Sequence, residues 1–391
     1  MKAYLAAAAC AVVLSACGGG APGSSGSSLS PVAPAQPDDA VSPATMHAST
    51  LKPVPQNAKS VVITEYSNPK YHARGGVTLT KDGSVWWDAT SPDGTSSYIV
   101  RMQSSVDSAT LIRVRNDGYP VYPRGIMTAT PNGRAWDDVA LQGPSGPGGQ
   151  PYADDVFMYA APGMTQASPA NGIDTRDAGT AGIANLATDT RGNVWFVAPA
   201  SIFAPGAEFG SISQDGSAQQ RYFPPAAYQL TAITPGPDGT MWIAGAFPAE
   251  SFARFSSNGT LIGTYSLPSQ VRWVNNAVLG PDRAVWFVDN ADSLVGRVSD
   301  KGSTTLYPTL TPQASPSFIT AGGDGALWFT EYNANRVGRI TTGGQMTEYA
   351  LPAAFEGPYQ IAGPSTAGCG ATQLWIGEQN SGKIAQLVLK T

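Results

Sequence analysis

Charge, histidine and cysteine are all scarce in this chain. Only 13% of its 391 residues are charged, and 23 Lys and Arg stand singly against 28 Asp and Glu, for a net charge of -5. No basic stripe exists for a phosphate backbone to meet, which excludes a nucleic-acid partner. The only histidines are His47 and His72, so a Ser-His-Asp triad would have to use His72, and no Gly-x-Ser-x-Gly elbow is present. The Gly-rich run Gly143 to Gly149 is broken by Pro and lacks the Lys of a phosphate-binding loop. With 44 Gly and 32 Pro, the chain is built for turns rather than long helices.

The apolar stretch Ala3 to Val13 follows Met1-Lys2 and is too short to span a bilayer. It reads as a signal sequence. Leu14-Ser15-Ala16-Cys17 then has the form of a lipobox, in which Cys17 accepts a lipid after cleavage. Cys10 is lost with the signal, leaving Cys369 as a possible free thiol and no intramolecular disulfide. Residues 1–16 are therefore expected to be a lipoprotein signal peptide. Residues 17–58, rich in Gly, Ser and Pro, are expected to be a flexible tether reaching ~35 Å. The expected location is the cell envelope, at the outer membrane facing the periplasm or the cell surface, with the membrane as a partner through the lipid.

Residues 59–391 carry a repeat. Lys81-Asp82-Gly83-Ser84-Val85-Trp86 recurs as Pro237-Asp238-Gly239-Thr240-Met241-Trp242 and as Gly323-Asp324-Gly325-Ala326-Leu327-Trp328. Trp136, Trp195, Trp286 and Trp375 mark the remaining copies, with roughly 40–60 residues between successive marks. Asp-Gly between apolar strands is a hairpin turn, and this period with short strands is that of a propeller blade. The expectation is an all-β, seven-bladed β-propeller of four-stranded blades. Ile63-Thr64-Glu65-Tyr66 matches Met346-Thr347-Glu348-Tyr349, an outermost strand, so the amino-terminal strand should complete the carboxyl-terminal blade. A ring closed in this way leaves no open seam and is expected to be monomeric.

Asp289, Glu331 and Glu378 each lie three residues beyond a blade Trp, at one mouth of the ring. Three carboxylates there are candidate ligands for a hard cation, or partners for Arg272, Arg336 and Lys383. Tyr228, Trp273, Asn276, Ser317, Tyr359 and Gln360 lie near the starts of innermost strands. Aromatic area with amide hydrogen bonding suits a glycan, a peptide or a protein loop, and blade packing is the competing use. Residues 141–182 form an irregular insertion in the second blade.

The sequence Gly323-Asp324-Gly325-Ala326-Leu327-Trp328-Phe329-Thr330-Glu331, with Asn335-Arg336-Val337-Gly338-Arg339-Ile340 and Thr347-Glu348-Tyr349-Ala350-Leu351-Pro352, resembles the blade repeat of the virginiamycin B lyases, or streptogramin lyases. The resemblance is strong in the last three blades and weak in the first two. It implies a lyase that opens a cyclic depsipeptide by elimination, with a His base and with a second His and a Glu placing Mg²⁺. The implied Glu position falls on Glu378, and the implied His positions fall on Ser317 and Tyr359. Elimination needs a base that titrates near neutrality, which His supplies and an ordinary Tyr does not. The expectation is a non-catalytic binding or scaffold module whose partner is an envelope protein, peptide or glycan. The alternative is a divergent Mg²⁺-dependent lyase using Glu331, Glu378 and either His72 or Tyr359.

Overall fold

The computed structural model describes residues 47–50, 61–103, 109–114, 121–145, 151–164, 166–174, 182–199, 207–224, 229–246, 250–363 and 373–389. Every regular element among them is a strand, arranged in seven antiparallel sheets. This is the expected seven-bladed propeller. In the sixth blade the strands are Pro316–Ala321, Ala326–Glu331, Arg336–Thr341 and Met346–Ala350, paired in chain order from the innermost outward.

The Asp-Gly turns do more than reverse the chain. Gly325 takes φ 75°, open to glycine, while Asp324 accepts the Trp328 indole N–H at 3.0 Å and Arg339 Nε at 2.7 Å. Burial alone would raise the Asp324 pKa, but these two donors hold it below the usual value. Asp282, Trp286 and Arg297 repeat the arrangement one blade earlier. Each blade Trp is almost wholly buried, which contributes roughly 4–6 kcal/mol of transfer free energy per indole.

Trp328 also stacks on Tyr349 of the outermost strand, with centroids 5.6 Å apart. Closure reproduces this contact with a residue more than three hundred positions away. Val61–Ser67 pairs with Lys383–Leu389, Ile63 opposite Leu387, and Tyr66 lies 5.5 Å from Trp375. The seventh blade has a fifth strand, His47–Thr50, on the outer edge of Val61–Ser67. His47 therefore belongs to a strand inside the segment expected to be tether. Where the second-blade insertion begins, Ala135–Ser145 and Pro151–Ala160 form an elongated hairpin.

Two faces follow from the strand order. Inner-to-second-strand turns, including the Asp-Gly turns, lie on one face. Second-to-third-strand loops and the connections between blades lie on the other, the loop face. Cys17, Tyr228 and Cys369 lie outside the described residues.

Candidate functional site

Second strands end and third strands begin at the loop face, so a residue three beyond a Trp is delivered there. Asp289, Glu331 and Glu378 occupy that level in three adjacent blades, and all three are fully buried. They do not form a single shared cluster. Asp289 is consumed by backbone N–H groups: Oδ2 accepts from Arg272 at 2.8 Å and from Trp273 at 3.4 Å, and Oδ1 accepts from Ala291 at 2.8 Å and from Asp292 at 3.1 Å. It ties a loop to the connection beside it.

Glu331 has no partner for either carboxylate oxygen. Burial pushes its pKa to about 9, and the neighbouring Glu348 adds to the shift. Glu348 itself receives the Thr311 N–H at 2.8 Å and lies 3.9 Å from Arg336 Nε. Of the two, Glu331 is the one that burial drives toward its protonated form.

The seventh blade repeats this device. The matching closure motif puts Glu65 in the place of Glu348, Glu378 in that of Glu331, and Lys383 in that of Arg336, and a further acid, Glu356, comes from the connection into the blade. Carboxylate oxygens of Glu65, Glu356 and Glu378 lie within 4.8 Å of one another, the only such acidic or His/Cys group among the described residues. Lys383 Nζ stands 2.9 Å from Glu65 and 3.2 Å from Glu356. Burial raises the Glu378 pKa well above its ordinary value, and Glu65 and Glu356 raise it further. Its Oε2 accepts from Ser381 Oγ at 3.1 Å, while Oε1 has no partner.

These residues do not fit Mg²⁺. The ion takes oxygen ligands at ~2.0–2.1 Å and needs at least one or two ionised carboxylates free to bind it. Here the Lys383 ammonium is already bonded to two of the carboxylates, Glu65 and Glu356, and burial favours a proton on the third.

At the centre of the loop face, the Tyr359 ring packs where side chains on Gly75 and Gly125 would otherwise stand; both glycines have positive φ, 111° and 83°. Phe318 meets it edge-on at 4.9 Å and Tyr332 at 6.4 Å. Burial raises the Tyr359 pKa to about 12, so its phenol is neutral and no base at ordinary pH. Ser317 is buried and its hydroxyl donates to Ser315 O at 3.3 Å. His72 is exposed, and its Cβ lies against Gly382, in the loop that joins Glu378 to Lys383. It sits outside the buried acid cluster.

Asn276 and Gln360, expected at the ligand face, are instead buried pins between inner strands. Gln360 Oε1 accepts from Val77 N and Met127 N, both at 2.9 Å, and its Nε2 donates to Met127 O at 2.7 Å. Asn276 Oδ1 accepts from Ile319 N and its Nδ2 donates to Asn185. Their amide groups are spent on the ring, leaving Trp273 and Tyr359 as the expected residues with surface at the mouth.

Besides Glu356, two acids of the first and second blades escaped the sequence reading. Asp88 is fully buried and accepts from Gly76 N at 2.8 Å and Gly125 N at 2.9 Å, joining the inner strands of the first two blades. Burial raises its pKa to about 6. Asp137 is buried with both oxygens unpartnered, and burial, then Asp88, raise its pKa well above the ordinary value. For Asp137 the signal was in the column just after each Trp, where the other blades carry Trp87, Phe196, Ile243, Phe287, Phe329 and Ile376; Asp88 lies one position further on.

A model of the virginiamycin B lyase family matches residues 164–391, more than half of the chain. Among solved structures, a streptogramin B lyase superimposes with a TM-score of 0.62 at 22% identity, over 84% of this chain and 98% of that one. A catalytically inactive histidine-to-alanine variant of virginiamycin B lyase from Staphylococcus aureus, with quinupristin, gives 0.59 at 22% identity, over 85% and 100%. YCF48 bound to D1 peptide gives 0.54 at 12% identity, over 86% and 96%. At these identities the likeness speaks for the fold. No curated protein matches the chain.

Proposed function

Because the chain belongs to the virginiamycin B lyase family, we propose that it retains that family's propeller as a non-catalytic binding or scaffold module, held at the cell envelope by a lipid on Cys17. The observation that carries this reading is the state of Glu378. The carboxyl at the implied metal position is sealed from solvent, favours its proton, and belongs to a group whose cation is Lys383. Ser317 and the neutral Tyr359 stand at the implied histidine positions, and neither provides a base. In the S. aureus enzyme one histidine-to-alanine change accompanies inactivity, so the same chemistry is not expected to survive here without both imidazoles. A propeller holding a peptide, as YCF48 does, illustrates the proposed use.

The experiment is incubation of the purified protein with quinupristin and Mg²⁺, followed by mass spectrometry and chromatography of the antibiotic. Intact cyclic antibiotic is expected. Ring opening that EDTA abolishes would overturn the reading in favour of the divergent lyase with His72 as its base. The anchor is tested separately: after detergent-free lysis and a carbonate wash that strips peripheral proteins, the parent should stay in the membrane fraction and Cys17→Ala should not.

A further inference from the structure

Among the described residues, large exposed apolar side chains are distributed unevenly over the ring. Leu261 and Ile262 lie on an outer strand, but Tyr122, Phe223, Trp273, Leu310 and Phe355 all lie where chain enters or leaves a blade on the loop face. Phe223, Trp273, Leu310 and Phe355 fall in four successive connections, from the third blade to the seventh. Phe355 is 85% exposed. Its φ of 63° is a left-handed conformation rarely adopted by bulky side chains. The turn is pinned on both sides, since Asn335 Nδ2 donates to Ala353 O and Asn335 Oδ1 accepts from Glu356 N. The ring is held outward by its backbone. Single exposed apolar residues need no explanation, but an arc of them on one face marks a contact surface.

Two further features indicate what covers it. His47 pairs with Ser67, and Ser67 leads directly into the connection to the first blade, so the chain preceding residue 47 departs at the loop face. About thirty residues separate that point from Cys17. The same face exposes Lys70 in the connection to the first blade and Arg74 and Arg124 on the first two inner strands, against one exposed carboxyl, Asp93; Asp292 there is paired with Arg272, and Asp289, Glu331 and Glu378 are buried. A face suited to anionic headgroups thus lies on a chain whose net charge is -5.

We propose that the loop face docks on a lipid surface, with Trp273, Leu310 and Phe355 entering the headgroup region and the arginines meeting anionic lipid. This rests on the envelope-anchor reading for its setting. Aromatic and apolar side chains at the interface with cations beside them are the chemistry of peripheral membrane contact. The opposite face, bearing the Asp-Gly turns, is then directed to the aqueous side, where an envelope partner would be met.

The test uses the full chain carrying Cys17→Ala, so that no lipid anchor contributes, and vesicles of phosphatidylethanolamine and phosphatidylglycerol. Trp273 is 36% exposed and the other eight tryptophans are buried, so acrylamide quenching of fluorescence reports chiefly on Trp273. Vesicles should remove most of the quenchable component. Adding Leu310→Ser and Phe355→Ser, both at exposed positions, should weaken association at least ~10-fold while leaving thermal stability unchanged. Equal binding by the two proteins, or quenching unaffected by vesicles, would overturn the proposal; protection by a captured envelope protein alone would assign the face to protein instead. None of these outcomes depends on whether quinupristin is opened or on whether Cys17 is lipidated.

Discussion

Replacing Glu331 by Gln should stabilise the protein at alkaline pH and leave it unchanged in mild acid. The folded pKa of about 9 stands above the ordinary 4.5, so the native state binds more protons than the unfolded one throughout that interval. Stability from this group is therefore complete below about pH 4.5 and is lost as pH rises toward 9. At ~1.4 kcal/mol per pH unit, the loss between pH 5 and pH 8 amounts to at most about 4 kcal/mol. Gln has the same shape and is neutral at every pH. Urea unfolding followed by the fluorescence of the buried tryptophans, at four pH values from 5 to 8, measures the effect. The two proteins should agree near pH 4.5 and separate by about 2–4 kcal/mol at pH 8, with the variant the more stable. Parallel profiles, or a variant less stable at pH 8, would mean that Glu331 is ionised and paired with Arg336, and the buried-acid argument would fail.

Lys383→Met should cost about 3–5 kcal/mol, because it leaves Glu65 and Glu356 buried without their counter-ion. A shift in the urea midpoint reads it, and a near-neutral result would refute the cluster. Gln360→Leu keeps much of the volume but orphans Val77 N, Met127 N and Met127 O, for a loss of about 2–4 kcal/mol. Unchanged melting temperature would return Gln360 to the ligand face.

The fold was legible because its signals are local. A Trp, an Asp-Gly turn and a strand period can be read within fifteen residues, and closure showed itself because Thr64-Glu65-Tyr66 repeats Thr347-Glu348-Tyr349. The site was legible only in its residue types. Glu331 and Glu378 stand out by position, but whether they face solvent depends on outer-strand acids brought back across the blade, and for Glu378 that acid is Glu65, at the other end of the chain. Gln360 was placed on the surface because it begins an inner strand; its partners, Val77 and Met127, belong to two other blades. Asp137 was missed because the Trp column drew the comparison, whereas the column beside it held the anomaly.

Mg²⁺ titration by calorimetry tests the central claim most directly, that Glu378 has become part of a Lys383-neutralised structural cluster. The account predicts no binding heat and no rise in melting temperature at millimolar Mg²⁺, for both the parent protein and Glu378→Gln. Stoichiometric binding by the parent that Glu378→Gln abolishes would contradict it.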